Sequence, residues 1–244
     1  MRVAVISDMH GNAVAFDAVL ADIRAQGADQ IVCLGDTLQG GAQPRQVLER
    51  LQEIDCPVVL GNADDFLRSA DHGGEPSTEL QLATRRWSLE QLGDDGLAAI
   101  GSFLATVRIG LPGGRTLLCF HGSPTSFNDI LLPETPEDEV QRLLGPSLPA
   151  IQCGGHTHLQ QLRRVSDSFF FNPGSVGLAW NRNQPANPPL ADPWAEYAIL
   201  TADDTTVAVE FRRVPYDVAA FIQIIRSSGI PFADELVERY SRQM

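Results

Sequence analysis

Five histidines occur in the chain, and four of them stand directly after short apolar runs: His10, His121, His156 and His158. The densest cluster is Gly154-Gly155-His156-Thr157-His158, which follows Ala150-Ile151-Gln152-Cys153. A short apolar run bounded by turn residues reads as a buried strand. Side chains of extended chain alternate with period two, so two histidines one residue apart can point the same way. Imidazole is the commonest metal ligand near neutral pH. The two glycines let the backbone turn sharply and approach an ion closely. Alone, a His-x-His is more often a polar pair on a solvated loop. Its company argues otherwise: Asp8 and His10 follow the apolar residues 2–7, Asp36 follows 30–34, and Asn62 follows 57–60.

Seven donors result: Asp8, His10, Asp36, Asn62, His121, His156 and His158. They exceed what one ion needs and suit two ions that share a carboxylate. Oxygen and imidazole donors without a thiolate favour borderline divalent metals over a structural zinc. Manganese leads the candidates, with Fe, Zn, Ni or Co as alternatives. Two ions ~3.5–4 Å apart form the clamp used for in-line displacement at phosphorus, and they lower the pKa of a bridging water. The predicted chemistry is phosphoester hydrolysis by a metal-bridging hydroxide.

Positioning such a set requires several strand ends to meet. The pattern from residue 2 to residue 64 is strand, helix, strand, helix, strand, which predicts parallel strands joined by right-handed crossovers. Ligand sites of open α/β sheets lie at the carboxyl ends of such strands, where Asp8, Asp36 and Asn62 stand. Asn12 is a good N-cap for a helix with an apolar stripe through Phe16, Val19, Leu20 and Ile23, and Pro44 suits the first turn of the next. Residues 76–106 read as a helix in two pieces broken at Gly93-Asp94. A hairpin at 106–109 and 116–120 delivers His121, and residues 150–153 deliver the double histidine. Strands at 161–165 and 168–171, a final hairpin at 196–200 and 206–212, and two closing helices complete the prediction. Residues 180–194, rich in Pro and Asn, read as a long loop of the kind that is usually functional or mobile.

The same residues resemble a family. Asp8-x-His10, Gly35-Asp36, Gly61-Asn62-x-Asp64, His121 and Gly155-His156-x-His158 are similar to the five signature blocks of the calcineurin-like metallophosphoesterases, in the same order. The resemblance spans about residues 3–177, and the remainder resembles the small prokaryotic phosphodiesterase branch. It implies an α/β fold of two packed mixed β-sheets flanked by helices, a four-layer α/β/β/α sandwich. It also implies that Asp8, His10, Asp36 and His158 surround one ion and Asp36, Asn62, His121 and His156 the other, with Asn62 also touching the substrate phosphate. Asp36 and Asn62 are therefore the expected catalytic residues. One departure stands out. Much of the superfamily has a histidine, often taken as the general acid, directly after the Asn of the third block; this chain has Ala63.

Other residues invite two readings each. His72 reads as a solvated turn residue or as a substitute acid. Asp64 could orient a metal-bound histidine from behind or cap a helix. Arg182 could bind a substrate phosphate or sit on a mobile surface loop. The turn Asn172-Pro173-Gly174-Ser175 reads as support beneath the site.

Composition excludes some classes. A formal net charge of −13 over 244 residues argues against a broad nucleic-acid or anionic-membrane surface. Metal ions could still make a local site for an anionic small phosphoester. No apolar run approaches the ~18–20 residues of a membrane span. The four cysteines form no Cys-x-x-Cys pair and read as buried free thiols of a reducing compartment. With no secretory signal in evidence, a cytoplasmic enzyme is expected, as one domain over residues 1–244, with a homo-oligomer left open. The alternatives to a phosphodiesterase are a phosphoprotein or small-molecule phosphomonoesterase, and a non-catalytic scaffold of the same fold.

Overall fold

Strand alternation sets the layers. In β1 (Arg2–Ile6), Val3 and Val5 face one side and Ala4 and Ile6 the other, and all four are fully buried. The computed structural model describes residues 1–70, 76–145, 149–181, 184 and 190–241. β1 pairs in parallel with β2 (Gln30–Cys33) and antiparallel with β8 (Trp194–Ala202), which pairs with β9 (Val207–Pro215). This gives a four-stranded sheet in the order β2-β1-β8-β9. The second sheet has five strands in the order β3-β4-β5-β7-β6: β3 (Val107–Leu111), β4 (Arg115–Cys119), β5 (Ile151–Cys153), β7 (Ser168–Asn172) and β6 (Gln161–Val165). β5 runs parallel to both its neighbours.

Val3, Val5 and Val32 of one sheet pack against Leu117, Cys119 and Ile151 of the other. On the outer face, Ala4 and Ile6 meet Phe16, Val19 and Leu20 of α1 (Ala13–Gln26) and Val47 of α2 (Pro44–Ile54). Beyond the second sheet, Leu118, Phe120 and Phe170 meet Val140 and Leu144 of α5 (Glu137–Leu144). Full burial of each such side chain contributes about 1.5–3 kcal/mol. The predicted two packed mixed sheets flanked by helices are present. A further apolar cluster joins α6 (Val218–Ser228) to α7 (Ala233–Ser241) and to Trp87 on α4 (Glu79–Gly101).

Local signals account for most element ends. The Asn12 side chain accepts from the Ala15 N–H at 3.0 Å, and Pro44 opens α2. Thr78 and Gln81 close a capping box at the start of α4, and Gly93 interrupts that helix with φ of 62°. Residues 57–60 depart from expectation. They make single bridges, Val58 to Cys33 and Val59 to Leu104, rather than a full strand. Pro57 has no N–H to donate, and α3 (Asn62–Ser69) begins just after. Cys33, Cys119 and Cys153 are buried free thiols as expected, whereas Cys56 is half-buried. Among the described residues no helix is long and apolar enough to cross a membrane.

Candidate metal centre

Six of the seven expected donors follow the carboxyl ends of these strands, and the seventh, Asn62, opens a helix. Asp8 and His10 follow β1, Asp36 follows β2, His121 follows β4, and His156 and His158 follow β5; Asn62 is the first residue of α3. Their loops are joined by backbone hydrogen bonds. Asp8 N–H donates to Gly35 O at 2.9 Å, His10 N–H to Asp36 O at 3.0 Å, and Gly155 N–H to His121 O at 2.9 Å. Five of the seven donors have left-handed backbone: Asp8 (φ 56°), His10 (44°), Asp36 (52°), His156 (68°) and His158 (57°). Each such residue costs roughly 1–2 kcal/mol, and conformations of this kind persist where surrounding structure holds them for function.

The left-handed loop corrects the expectation for His156 and His158. Neither is in extended chain, and they fall in different donor groups, as the family resemblance implies. Asp8, His10 and His158 form one group whose candidate ligand atoms lie within 4.8 Å of one another, and Asp36, His121 and His156 form a second. In the first group His158 Nε2 is 3.3 Å from Asp8 Oδ1 and 3.0 Å from His10 Nε2. In the second, His121 Nε2 is 3.4 Å from Asp36 Oδ2 and 3.0 Å from Asn62 Oδ1. Asp36 Oδ2 is also 3.8 Å from His10 Nε2, so one carboxylate oxygen faces both groups. Its Oδ1 is taken by the Ala63 N–H at 2.8 Å.

Hydrogen bonding selects the ligand tautomer. His10 Nδ1 is 2.9 Å from Gln39 O, His121 Nδ1 2.8 Å from Leu34 O, and His158 Nδ1 2.8 Å from Leu178 O. A carbonyl only accepts, so each Nδ1 carries a proton and each Nε2 faces inward, where it offers a lone pair once deprotonated. Two facing Nε2 lone pairs at 3.0 Å repel unless a cation or a proton stands between them. Asp8 Oδ1, fully buried, has no hydrogen-bond partner among the described residues, while Oδ2 accepts from the His156 N–H at 3.2 Å. An unpartnered buried carboxylate oxygen beside two inward imidazoles fits a divalent cation.

The electrostatics agree. Burial pushes the Asp8 carboxyl up, but the His158 imidazole more than offsets it and holds Asp8 below the usual range. Burial opposes charge on His121 as well, yet the Asp36 carboxylate beside it leaves His121 raised to about 9. His158 is raised in the same way by Asp8 against its burial. His156 is lowered to about 4 by burial and by the charge on His121.

Close packing and buried hydrogen bonds brace this arrangement. Asn172 donates to Gly155 O at 2.6 Å and Ser175 Oγ to Asp8 O at 2.8 Å, so the Asn-Pro-Gly-Ser turn is the support expected of it. A Cβ on Gly155 would collide with Ser7 Oγ and Asp8 Oδ2, and one on Gly61 would collide with Asp36 Oδ1. Asp64 takes neither of its expected roles. Fully buried, it accepts from Thr37 N–H, Thr37 Oγ1 and Leu38 N–H at 2.9–3.1 Å and so clamps the loop after Asp36. Burial, helped by the Asp36 charge, pushes its carboxyl up to about 7. The three carbonyls that orient the histidines were invisible to sequence reasoning, because every residue has one. His72 and Arg182 lie outside the described residues.

Two clefts open from the centre. The larger, about 890 Å³, touches His10, Asp36, Asn62 and Ala63 and extends between Phe66 and Leu236. The smaller, about 420 Å³, touches His156, Thr157 and His158 and is walled by Ile130, Leu132 and Trp180. The geometry therefore provides two cation-sized donor groups joined by one carboxylate, each beside a cleft.

Comparison with known proteins decides the family. Residues 1–202 match the calcineurin-like phosphoesterase superfamily domain. The chain belongs to the calcineurin-like phosphoesterase superfamily. It is 25% identical over 240 residues to the uncharacterized protein MJ0912 of Methanocaldococcus jannaschii, covering 94% of this chain and 93% of that one. A metallophosphoesterase from Sphaerobacter thermophilus is 27% identical and superposes with a TM-score of 0.74 over 98% of both chains. Protein PH1004 of Pyrococcus horikoshii OT3, at 20% identity, shares the fold with a TM-score of 0.80 over 97% of this chain and 96% of that one. The family is metal-dependent, and this phosphoesterase offers two candidate metal sites.

Metal removal gives a direct test of the centre. Metal at ~100 times its Kd that binds only folded protein stabilises by about 2.7 kcal/mol. For a chain of this size that is about 5–10 °C in Tm. The shift should depend on pH. Protons on His121 stabilise the ion-free fold fully below the unfolded value of about 6.5, and that contribution is lost as pH rises through about 9. Bound metal displaces those protons, so the metal-induced rise in Tm should grow between pH 6 and pH 9. Identical melting curves before and after chelation, with metal loss confirmed by elemental analysis, would count against a shared site.

Proposed function

We propose that this chain is a dinuclear-metal-dependent phosphodiesterase, with Asp8, His10, Asp36 and His158 holding one divalent ion and Asp36, Asn62, His121 and His156 the other. When bound, the ions neutralise phosphoryl charge and make water acidic enough to attack phosphorus near neutral pH. The protein's own part is to hold the donors rigidly. The left-handed loops aim them inward, backbone carbonyls keep each imidazole in one tautomer, and Asn62 both completes the second group and reaches the substrate phosphate. Manganese remains our first choice of metal, and a small-molecule ester our choice of substrate.

The observation that carries the diester reading is the pair of clefts. One is bordered by His10, Asp36 and Asn62 and the other by His156 and His158, so different donors border each cleft. A phosphate held by two ions with an organic group on each of two ester oxygens would fill both; a monoester would leave one empty. The test is a turnover screen of aryl mono- and diesters across Mn, Fe, Co, Ni and Zn, with metal analysis of the protein as purified. We expect metal-dependent hydrolysis with kcat/KM higher for the diester. A consistent preference for the monoester would replace this reading with a phosphomonoesterase, and metal-loaded protein inert toward every ester would favour the scaffold.

A further inference from the structure

We propose that Arg239, on the C-terminal helix, is a substrate-binding residue that meets the phosphoryl group held at the metal centre and positions its ester arms in the two clefts. The proposal rests on the phosphoesterase reading above and adds the residue that would set specificity. Arg239 lines both clefts, the one bordered by His10, Asp36 and Asn62 and the one bordered by His156 and His158. Among the described residues it is the only arginine on either lining, and the chain contains no lysine.

Its side chain makes no hydrogen bond or ion pair with any described residue. Other half-buried arginines are engaged: Arg85 donates to Phe66 O at 2.7 Å and to Leu67 O at 2.8 Å, and Arg212 donates to Asp22 at 2.7 Å. A guanidinium offers five donors and no acceptor, and its fork matches a phosphate bidentately. One left unpaired at the junction of two clefts is suited to an anion.

The helix that carries Arg239 is held firmly. Arg239 O accepts from the Ala191 N–H at 2.8 Å. The next residue, Tyr240, donates from Oη to Gly177 O at 2.8 Å and packs edge-on against Phe221 with ring centroids 5.0 Å apart. Gly177 N–H in turn donates to Asp8 O at 3.0 Å. Two links therefore connect α7 to the first metal group, and Arg239 is placed by the same backbone that places Asp8.

The larger cleft states what the arm should be. Its apolar lining includes Leu80, Leu190, Ile230, Phe232 and Leu236, and Glu235 and Glu238 also line it. Apolar walls favour an uncharged organic group, and the carboxylates disfavour a second phosphate by like-charge repulsion. Most of that wall comes from α7 and the turn before it, beyond residues 1–202 that match the family domain. Specificity would thus lie in the C-terminal helices of this chain.

The test uses full-length metal-loaded protein, with R239A and R239K beside the parent. Inorganic phosphate binding is measured by calorimetry, and an aryl phosphodiester supplies kcat and KM. A charge-assisted hydrogen bond to phosphate is lost in R239A, so phosphate Kd should rise about 10- to 100-fold. KM should rise by a similar factor with kcat changed much less, because the phosphate charge met by Arg239 exists before reaction. R239K should fall between the two, while metal content and Tm match the parent. Phosphate affinity in R239A within twofold of the parent, including no binding by either, overturns the proposal, as does a loss of binding that follows a loss of metal. Hydrolysis unchanged in R239A would sink this proposal and leave the phosphodiesterase standing. Arg239-dependent phosphate binding in a parent that hydrolyses no ester would do the reverse.

Discussion

Asp36→Asn should lower turnover by about 10³-fold and reduce the metal content of the protein. Asp36 Oδ2 is the oxygen that faces His121 Nε2 at 3.4 Å and His10 Nε2 at 3.8 Å. Oδ1 is already occupied by the Ala63 N–H. An asparagine can keep that hydrogen bond with its carbonyl oxygen, but its amide nitrogen then faces the centre, and an amide nitrogen offers no lone pair to a cation. Flipping the amide would set two donors against each other at Ala63. The substitution therefore removes both the shared ligand and one negative charge. Metal ions supply several kcal/mol of transition-state charge stabilisation. A loss of about 4 kcal/mol corresponds to about 10³-fold at ~1.36 kcal/mol per factor of ten. The measurements are kcat/KM on an aryl diester and elemental analysis of both proteins. Activity of Asp36→Asn equal to the parent would defeat the two-ion assignment.

The second large effect concerns the leaving group. The residue after Asn62 is alanine, and the Ala63 side chain lines the larger cleft beside His10 and Asp36, with no proton to give. General acid assistance is typically worth ~10²–10⁴-fold, because an alkoxide leaves poorly unless it is protonated as the bond breaks. An aryl oxide is the conjugate base of a far stronger acid and needs little such help. We expect appreciable turnover of aryl phosphodiesters and turnover of simple alkyl diesters lower by a factor in that range beyond their intrinsic difference. Ala63→His should narrow the gap, since the new ring would project into the cleft. Equal rates for aryl and alkyl diesters in the parent, with chemistry rate-limiting, would mean that another group donates the proton. Glu235 and Glu238, on the same cleft, would then be tested first among the described residues, together with His72 outside them.

The family and its fold were legible in the sequence because both rest on local signals. The apolar run in residues 2–7, the Asn12 cap, Pro44 and the Gly93 break each act within a few residues of themselves. The candidate donors stood out because their types recur after short apolar runs: Asp8 and His10, Asp36, Asn62, His121, then His156 and His158. Which donors share an ion was implied only by the family resemblance. The period-two argument for His156 and His158 does not apply, because both residues adopt left-handed rather than extended backbone. That conformation is imposed by hydrogen bonds to distant chain, such as His156 N–H to Asp8 Oδ2 across 148 residues. The role of Asp64 was hidden for the same reason, since the loop it clamps, residues 37–38, is brought to it by the crossover between β2 and α3. Arg239 stood in an ordinary amphipathic C-terminal helix with nothing nearby in sequence to distinguish it. Only packing of α7 against residues 177 and 191 brings Arg239 to the clefts. Residue type and local periodicity determined which donors this chain could offer; contacts between residues far apart in sequence decided which of them stand together.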